Sequence, residues 1–244
     1  MTGGRSQPPG QRANTGPASV LRGALLMFQK DLHIERRSKE LLFTVVAFAV
    51  IATVLFALSF NLDDDRTRAY TPGILWVTVL FSGSLALGRL YDAERDNDCL
   101  GGLLLSAMDP RSLYLGKLLT LLVAMGLMEA LTVPLVVLFF DVGRVAPPGA
   151  LGVVFLALGL GTLGFAAIGN LFAAMLLSSR LREILVPVIV FPLVTPVLIA
   201  GVQCTRAVLS GDFEISHWLW LLGAFDAIYL TIALALFPLM LRES

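Results

Sequence analysis

The sequence predicts an all-α integral membrane protein: six transmembrane helices preceded by an amphipathic helix. Three observations carry this. The chain is 57% hydrophobic and 15% charged, with mean hydropathy +0.81, whereas soluble domains hold about 45–50% apolar and about 25% charged residues. It contains six apolar runs close to or above the about 20 residues that a helix needs to cross about 30 Å of hydrocarbon. Its basic residues are segregated: threaded through those six runs, fourteen of the eighteen Lys and Arg fall on one side, and Arg66, Arg68, Arg144 and Arg206 fall on the other. Because basic residues stay inside, both termini are expected on the cytoplasmic side of the membrane. Net charge is zero, so bulk electrostatics offers no case for nucleic acid.

Residues 1–19 are polar and rich in Gly and Pro, the composition of a disordered tail. They are not a signal peptide, because no apolar stretch follows directly. Residues 20–244 form one membrane domain. In 20–40, Leu21, Ala24, Leu25, Phe28 and Leu32 recur at helical spacing opposite Arg22, Lys30, Arg36, Arg37 and Lys39, which describes a helix lying in the interface. The first span is 41–60, closed by Asn61 and Asp63 to Asp65. The second is 72–90, with Pro72 near its first turn, where proline is tolerated. The third, 113–140, is long enough to tilt or protrude. The fourth is 150–177, the fifth 184–202. The sixth, 218–241, opens on the interfacial anchors Trp218 and Trp220. No repeat of 20–50 residues appears.

Between the second and third spans lies a charged, glycine-bearing segment, 91–112. A polar stretch of this size on the cytoplasmic side is where a soluble partner can act on a membrane protein. Gly159, Gly161 and Gly164 match GxGxxG, but inside a span a phosphate could not be solvated. These small residues, with the pairs Ala157/Gly161 and Gly169/Ala173, read instead as positions of close helix packing. Gly116-Lys117 is not a phosphate loop, since Arg111 stands where the first glycine belongs and no Ser or Thr follows the lysine. ATP, if used, must come through another subunit. Cys99 and Cys204 fall on opposite faces of the membrane, and no metal-ligand spacing exists.

Glu129 and Asp226 lie within spans, where carboxyls are costly and face a bundle interior, a pathway or a partner. Each reads either as a polar contact within the bundle or as a protonated acid hydrogen-bonded to a neighbour, with Asn170 a plausible partner. Pro187, Pro192 and Pro196 punctuate the fifth span. Each removes a backbone donor, giving a moving element or a fixed kink. His217, beside Trp218, is a candidate heme ligand, weighed against a solvated histidine. With no nucleophile–base pair, paired carboxylates or metal cluster, enzyme chemistry is not expected in this chain.

The blocks LMFQKDLHIERRSKELL, TPGILWVTVLFSGSLALGRLYDAERDN, LGGLLLSAMDPRSLYLGK and GNLFAAMLLSSRLREILVPVIVFPLVTPVLIAG, in that order, resemble the cytochrome c maturation permease family CcmB, or heme exporter protein B, over about residues 25–241. The resemblance implies an ABC-2 (type V exporter-like) permease of six spans with an elbow helix. It implies a separate ATP-binding subunit (CcmA-like), a heme-handling membrane protein (CcmC-like) and a periplasmic heme chaperone (CcmE-like), with heme as substrate and no cofactor bound by the permease itself. ATP hydrolysis in the partner would drive heme export or release of the heme-loaded chaperone. Within this frame Glu94, Arg95, Asp96 and Asn97 supply a coupling helix ended by Gly101-Gly102, and Arg180, Arg182 and Glu183 supply a second contact. Two rivals share the architecture: an ABC-2 exporter of a lipid, glycan or drug, and a membrane scaffold without ATP coupling.

Overall fold

The computed structural model describes residues 17–60, 65–92, 109–142, 149–177, 179, 181–211 and 215–243. These form seven α-helices: α1 Pro17–Ser38, α2 Glu40–Ser59, α3 Asp65–Arg89, α4 Pro110–Phe139, α5 Ala150–Met175, α6 Arg182–Leu209 and α7 Ser216–Glu243. Helices α2 to α7 are each long and apolar enough to cross a membrane, so the chain is a multi-pass helical membrane protein. Only helices can do this without a closed barrel, because hydrocarbon offers the backbone no hydrogen-bond partners.

Helix α1 begins at Pro17, inside the stretch expected to belong to the tail. Proline suits a first helical turn, where its missing N–H is not needed. The face of α1 that packs on the bundle is Ala24, Met27 and Asp31, while Leu21, Leu25 and Leu26 are exposed. The apolar stripe read from the sequence is therefore divided: part of it faces outward, and a carboxylate occupies the inner face. Gly116 of α4 allows this docking. A Cβ there would come within 3.0 Å of the Ala24 carbonyl oxygen and would run into Met27. Ser112 Oγ also donates to the Val20 carbonyl at 3.0 Å.

The chain turns from α1 into α2 at Lys39, whose backbone is left-handed at φ 56°. Lys39 gives α2 no side-chain cap. Glu35 of the preceding helix supplies one, accepting the Leu42 N–H at 2.8 Å. It thereby satisfies one of the donors that every helix start leaves open.

Two boundaries differ from expectation. Helix α3 starts at Asp65, so Pro72 lies inside the helix, although it remains in the first turn of the apolar part, Ala69–Arg89. Helix α6 runs on to Leu209, beyond 202. Gln203 and Arg206 do not stop it, because Ala200, Cys204 and Val208 keep a buried stripe at four-residue spacing. It also continues through Pro187, Pro192 and Pro196 as one element. Helix α4, at 30 residues, is about 45 Å long, which exceeds the hydrocarbon core as the sequence suggested. It is capped by Asp109, whose carboxylate accepts the Arg111 N–H at 2.9 Å.

Helices α3 and α5 lie deep in the bundle, whereas α2, α6 and α7 leave most of their apolar windows exposed to the surroundings. Gly161, Gly164 and Gly169 of α5 sit at close contacts, mainly against side chains, but Gly159, expected at such a contact, is exposed with nothing within 4 Å of an added Cβ, because it lies on the outer face of the helix. Gly161 and Gly201 of α6 flank the buried indole of Trp76, and Gly169 faces Leu87. Trp76 Nε1 donates to Thr205 Oγ1 at 3.0 Å, joining α3 to α6 inside the core.

Replacing Gly161 by Leu drives a side chain into the Trp76 ring. Overpacking of this kind costs about 1–3 kcal/mol, and the expected outcome is a lower Tm in detergent-solubilised protein. Gly73→Leu, where nothing lies within 4 Å of the added Cβ, should leave Tm close to wild type.

Candidate functional site: the exit of helix α3

A helix ends with four carbonyls that have no partner inside it and with roughly half a negative charge. In α3 those carbonyls are met by two buried cations from different helices. Arg182, the first residue of α6, donates through Nη2 to the Leu87 carbonyl at 3.1 Å and to that of Gly88 at 2.5 Å. Lys117 of α4 donates through Nζ to the Leu90 carbonyl at 3.0 Å. Each is 2% exposed. Arg182 Nη1 also lies 3.9 Å from Asp92.

Lys117 extends the contact to α1. Its Nζ is 3.0 Å from Asp31 Oδ2, and the Thr120 hydroxyl donates to the same oxygen at 3.3 Å. Asp31 is 6% exposed and pairs through Oδ1 with the half-exposed Lys30 at 3.1 Å. The ammonium also stands 5.2 Å from the centre of the Tyr91 ring, within cation–π range. Tyr91 donates its hydroxyl to Asn170 Oδ1 at 2.7 Å, and Asn170 Nδ2 donates to the Tyr114 carbonyl at 3.0 Å. Tyr114 in turn donates its hydroxyl to the Ala167 carbonyl at 2.9 Å. The six residues 87–92 are thus held by α4, α5 and α6 and, through Lys117, by α1.

Beside this hub opens a polar cleft of about 220 Å³, lined by Asp31, Glu35, Glu40, Arg89, Asp92 and Lys117 among others. Arg89 and Glu40 stand 3.9 Å apart at its rim, both exposed. A pair so placed contributes little to stability, unlike the buried Asp31–Lys117 pair.

The expected site residues distribute as follows. Glu94, Arg95, Asp96, Asn97 and Arg180 lie outside the described residues, as do Cys99, Gly101 and Gly102. Glu183 belongs to the first turn of α6. Arg182 is turned inward: its guanidinium is engaged with α3 and is 2% exposed, so it supports the neighbouring segment from behind. Asn170 does not join Glu129 or Asp226. It lies about 12 Å further along α5 than Thr162, in the hub. Glu129 instead accepts a hydrogen bond from the Thr162 hydroxyl. Asp226, buried on α7, lies against bare backbone at Gly164, where an added Cβ would come within 2.6 Å of Oδ1. His217 is exposed, its ring 4.5 Å from that of Trp218.

Sequence reasoning missed the Asp31–Lys117 pair, and a signal for it existed. Asp31 falls seven residues after Ala24, on the docking face of α1. Lys117 falls within an apolar run, where a charge demands a partner.

Six apolar helices long enough to span a membrane, a further helix packed on them ahead of the first, and a buried charge hub are consistent with a permease-like membrane subunit. The CcmB protein family profile matches residues 22–244, and the chain belongs to that family. Heme exporter protein B of Pseudomonas aeruginosa is 29% identical over 209 residues, 86% of this chain and 91% of the relative. That of Bradyrhizobium diazoefficiens is 27% identical over 84% of this chain and 91% of its own. That of Paracoccus denitrificans is 26% identical over 75% and 82%.

Lys117→Met leaves Asp31 buried beside one half-exposed lysine. Removing one partner of a buried pair costs about 3–5 kcal/mol, so the variant should show a marked fall in Tm. Lys30→Ala should cost at most about 1 kcal/mol. Adding Asp31→Asn to Lys117→Met should recover much of the loss, a coupling read by a double-mutant cycle.

Proposed function

We propose that this chain is the membrane (permease) subunit of an ABC transporter complex required for cytochrome c maturation. A separate CcmA-like subunit hydrolyses ATP, and this chain couples that hydrolysis to heme export or to release of a heme-loaded, CcmE-like chaperone, alongside a CcmC-like heme-handling protein. Heme is the substrate class, and the permease itself performs no catalysis. The observation that carries this reading is the family match across residues 22–244, with relatives named heme exporter protein B aligned over most of their own length. That naming does not favour the rival reading as an exporter of a lipid, glycan or drug.

The chain sits in the bacterial inner membrane with both termini cytoplasmic. The distribution of Lys and Arg, fourteen against four, supports this orientation. The hub and the segment after it then face the cytoplasm, where an ATPase subunit is reached. Glu94, Arg95, Asp96 and Asn97 dock on that subunit, and Arg180 and Glu183 form a second contact. Glu129 and Asp226 are polar contacts inside the bundle. His217 is left as a solvated interfacial residue, because it is exposed and beside Trp218.

The test is a heme stain for covalent c-type cytochromes in cells lacking the chain. Staining should vanish in the deletion and return with the wild-type chain. The double variant Glu94→Lys, Asp96→Lys should insert normally and yet reduce staining by at least about tenfold, because like charges set face to face across an interface cost several kcal/mol. Normal cytochromes in the deletion would overturn the proposed role. Normal cytochromes in the double variant would overturn only the docking assignment.

A further inference from the structure

A push delivered at residues 87–92, the root of the polar segment, acts on the rest of the bundle only through what that root is fastened to. The backbone joins that root to α3 and nothing else on the upstream side. Resting on the permease reading above, we propose that Arg182 and Lys117 are positioning residues of the coupling step: they fasten residues 87–92 to α6 and to α1, so that a displacement of this root is delivered to both helices together.

The geometry supports this in four ways. First, the two cations bind successive parts of the same short stretch, Leu87 and Gly88 through Arg182 and Leu90 through Lys117. Second, both are buried at 2% exposure. Water does not substitute for their contacts, and breaking them would strand a charge. Third, Arg182 is the first residue of α6, so a shift of the α3 exit pulls on the end of that helix. Its three prolines remove ladder hydrogen bonds and lower the resistance to bending. Tyr229 donates its hydroxyl to the Leu193 carbonyl, within the proline-bearing stretch, and so engages α7. Fourth, Lys117 hands the displacement to Asp31 of α1. That helix is tied to the start of α2 across the left-handed residue Lys39, where Glu35 accepts the Leu42 N–H, so a displacement of α1 is passed on to α2.

Neither residue touches ATP or heme in this scheme. A purely structural role would lower the amount of complex. A positioning role changes what each ATP accomplishes.

Spatial linkage alone does not establish coupling, so the decisive quantity is release of heme-loaded chaperone per ATP hydrolysed. It is measured on the purified complex of the full-length chain with its ATPase subunit. In Arg182→Met the ratio, taken per assembled complex, is expected to fall about tenfold, beyond any fall in the amount of complex. Arg182→Lys, which keeps the charge but not the planar fork, should fall between the two. Lys117→Arg provides the same reading at the second contact should Arg182→Met fail to accumulate. A wild-type ratio in the charge-conserving and truncated variants overturns the inference, as does a loss of release that only tracks loss of complex. Failure of the underlying reading looks different: c-type cytochromes remain normal in cells lacking the chain altogether, and the inference then falls with it.

Discussion

The carbonyls at the end of α3 are the constraint around which this bundle is arranged. Leu87, Gly88 and Leu90 present oxygens inside the protein where water is excluded, and a buried acceptor left unpaired is costly. Arg182 and Lys117 meet them. Each brings a charge that must itself be neutralised. Lys117 finds Asp31, which requires α1 to lie along α4, which requires Gly116 and Ala24 to let the two backbones approach. Arg182 stands 3.9 Å from Asp92 and lies against the negative end of α3. The placement of three helices follows from satisfying one helix terminus.

Inside the membrane-spanning part the same rule operates on isolated polar groups. The Trp76 indole N–H is satisfied by Thr205 and its ring is admitted by the glycines at 161 and 201. Glu129 is satisfied by Thr162. Asp226 is the exception: it lies against the bare backbone at Gly164, and neither carboxyl oxygen has a hydrogen-bond partner among the described residues. Without a hydrophobic force between helices in lipid, such contacts and the close packing of small residues hold the bundle together. Gly161, Gly164 and Gly169 of α5 therefore serve as seats for Trp76, Asp226 and Leu87, whereas Gly159 seats no side chain.

The division of labour along the chain fits a coupled permease. Helices α3 and α5 form the buried axis, while α2, α6 and α7 keep large surfaces open to lipid or to other subunits. The polar hub and its cleft lie together at the end of the bundle where α1 docks, and the mid-span carboxyls lie deeper. The α3 exit is thus adjacent to α6, the helix that carries three prolines, and to α1, which lies outside the six apolar spans.

The sequence alone determined the helical class, the number of spans, their approximate bounds and the family, because apolar run length, charge segregation and ordered polar blocks are one-dimensional properties. It also marked Glu129, Asp226 and Arg182 as residues needing explanation. It did not determine their partners. Asn170 was assigned toward the buried acids, yet it lies in the hub, since helix rotation and depth decide which side chains meet. Arg182 read as a surface contact because it neighbours charged residues, and only the packing of α6 on α3 turns it inward. In the sequence Lys117 figures only as the lysine of a failed phosphate loop, and Asp31 is not singled out at all. Their pairing spans 86 residues of sequence and exists only once α1 folds back on α4. Composition and periodicity are local, whereas neutralising a buried charge is a three-dimensional requirement, and that part of this protein was decided by the tertiary structure.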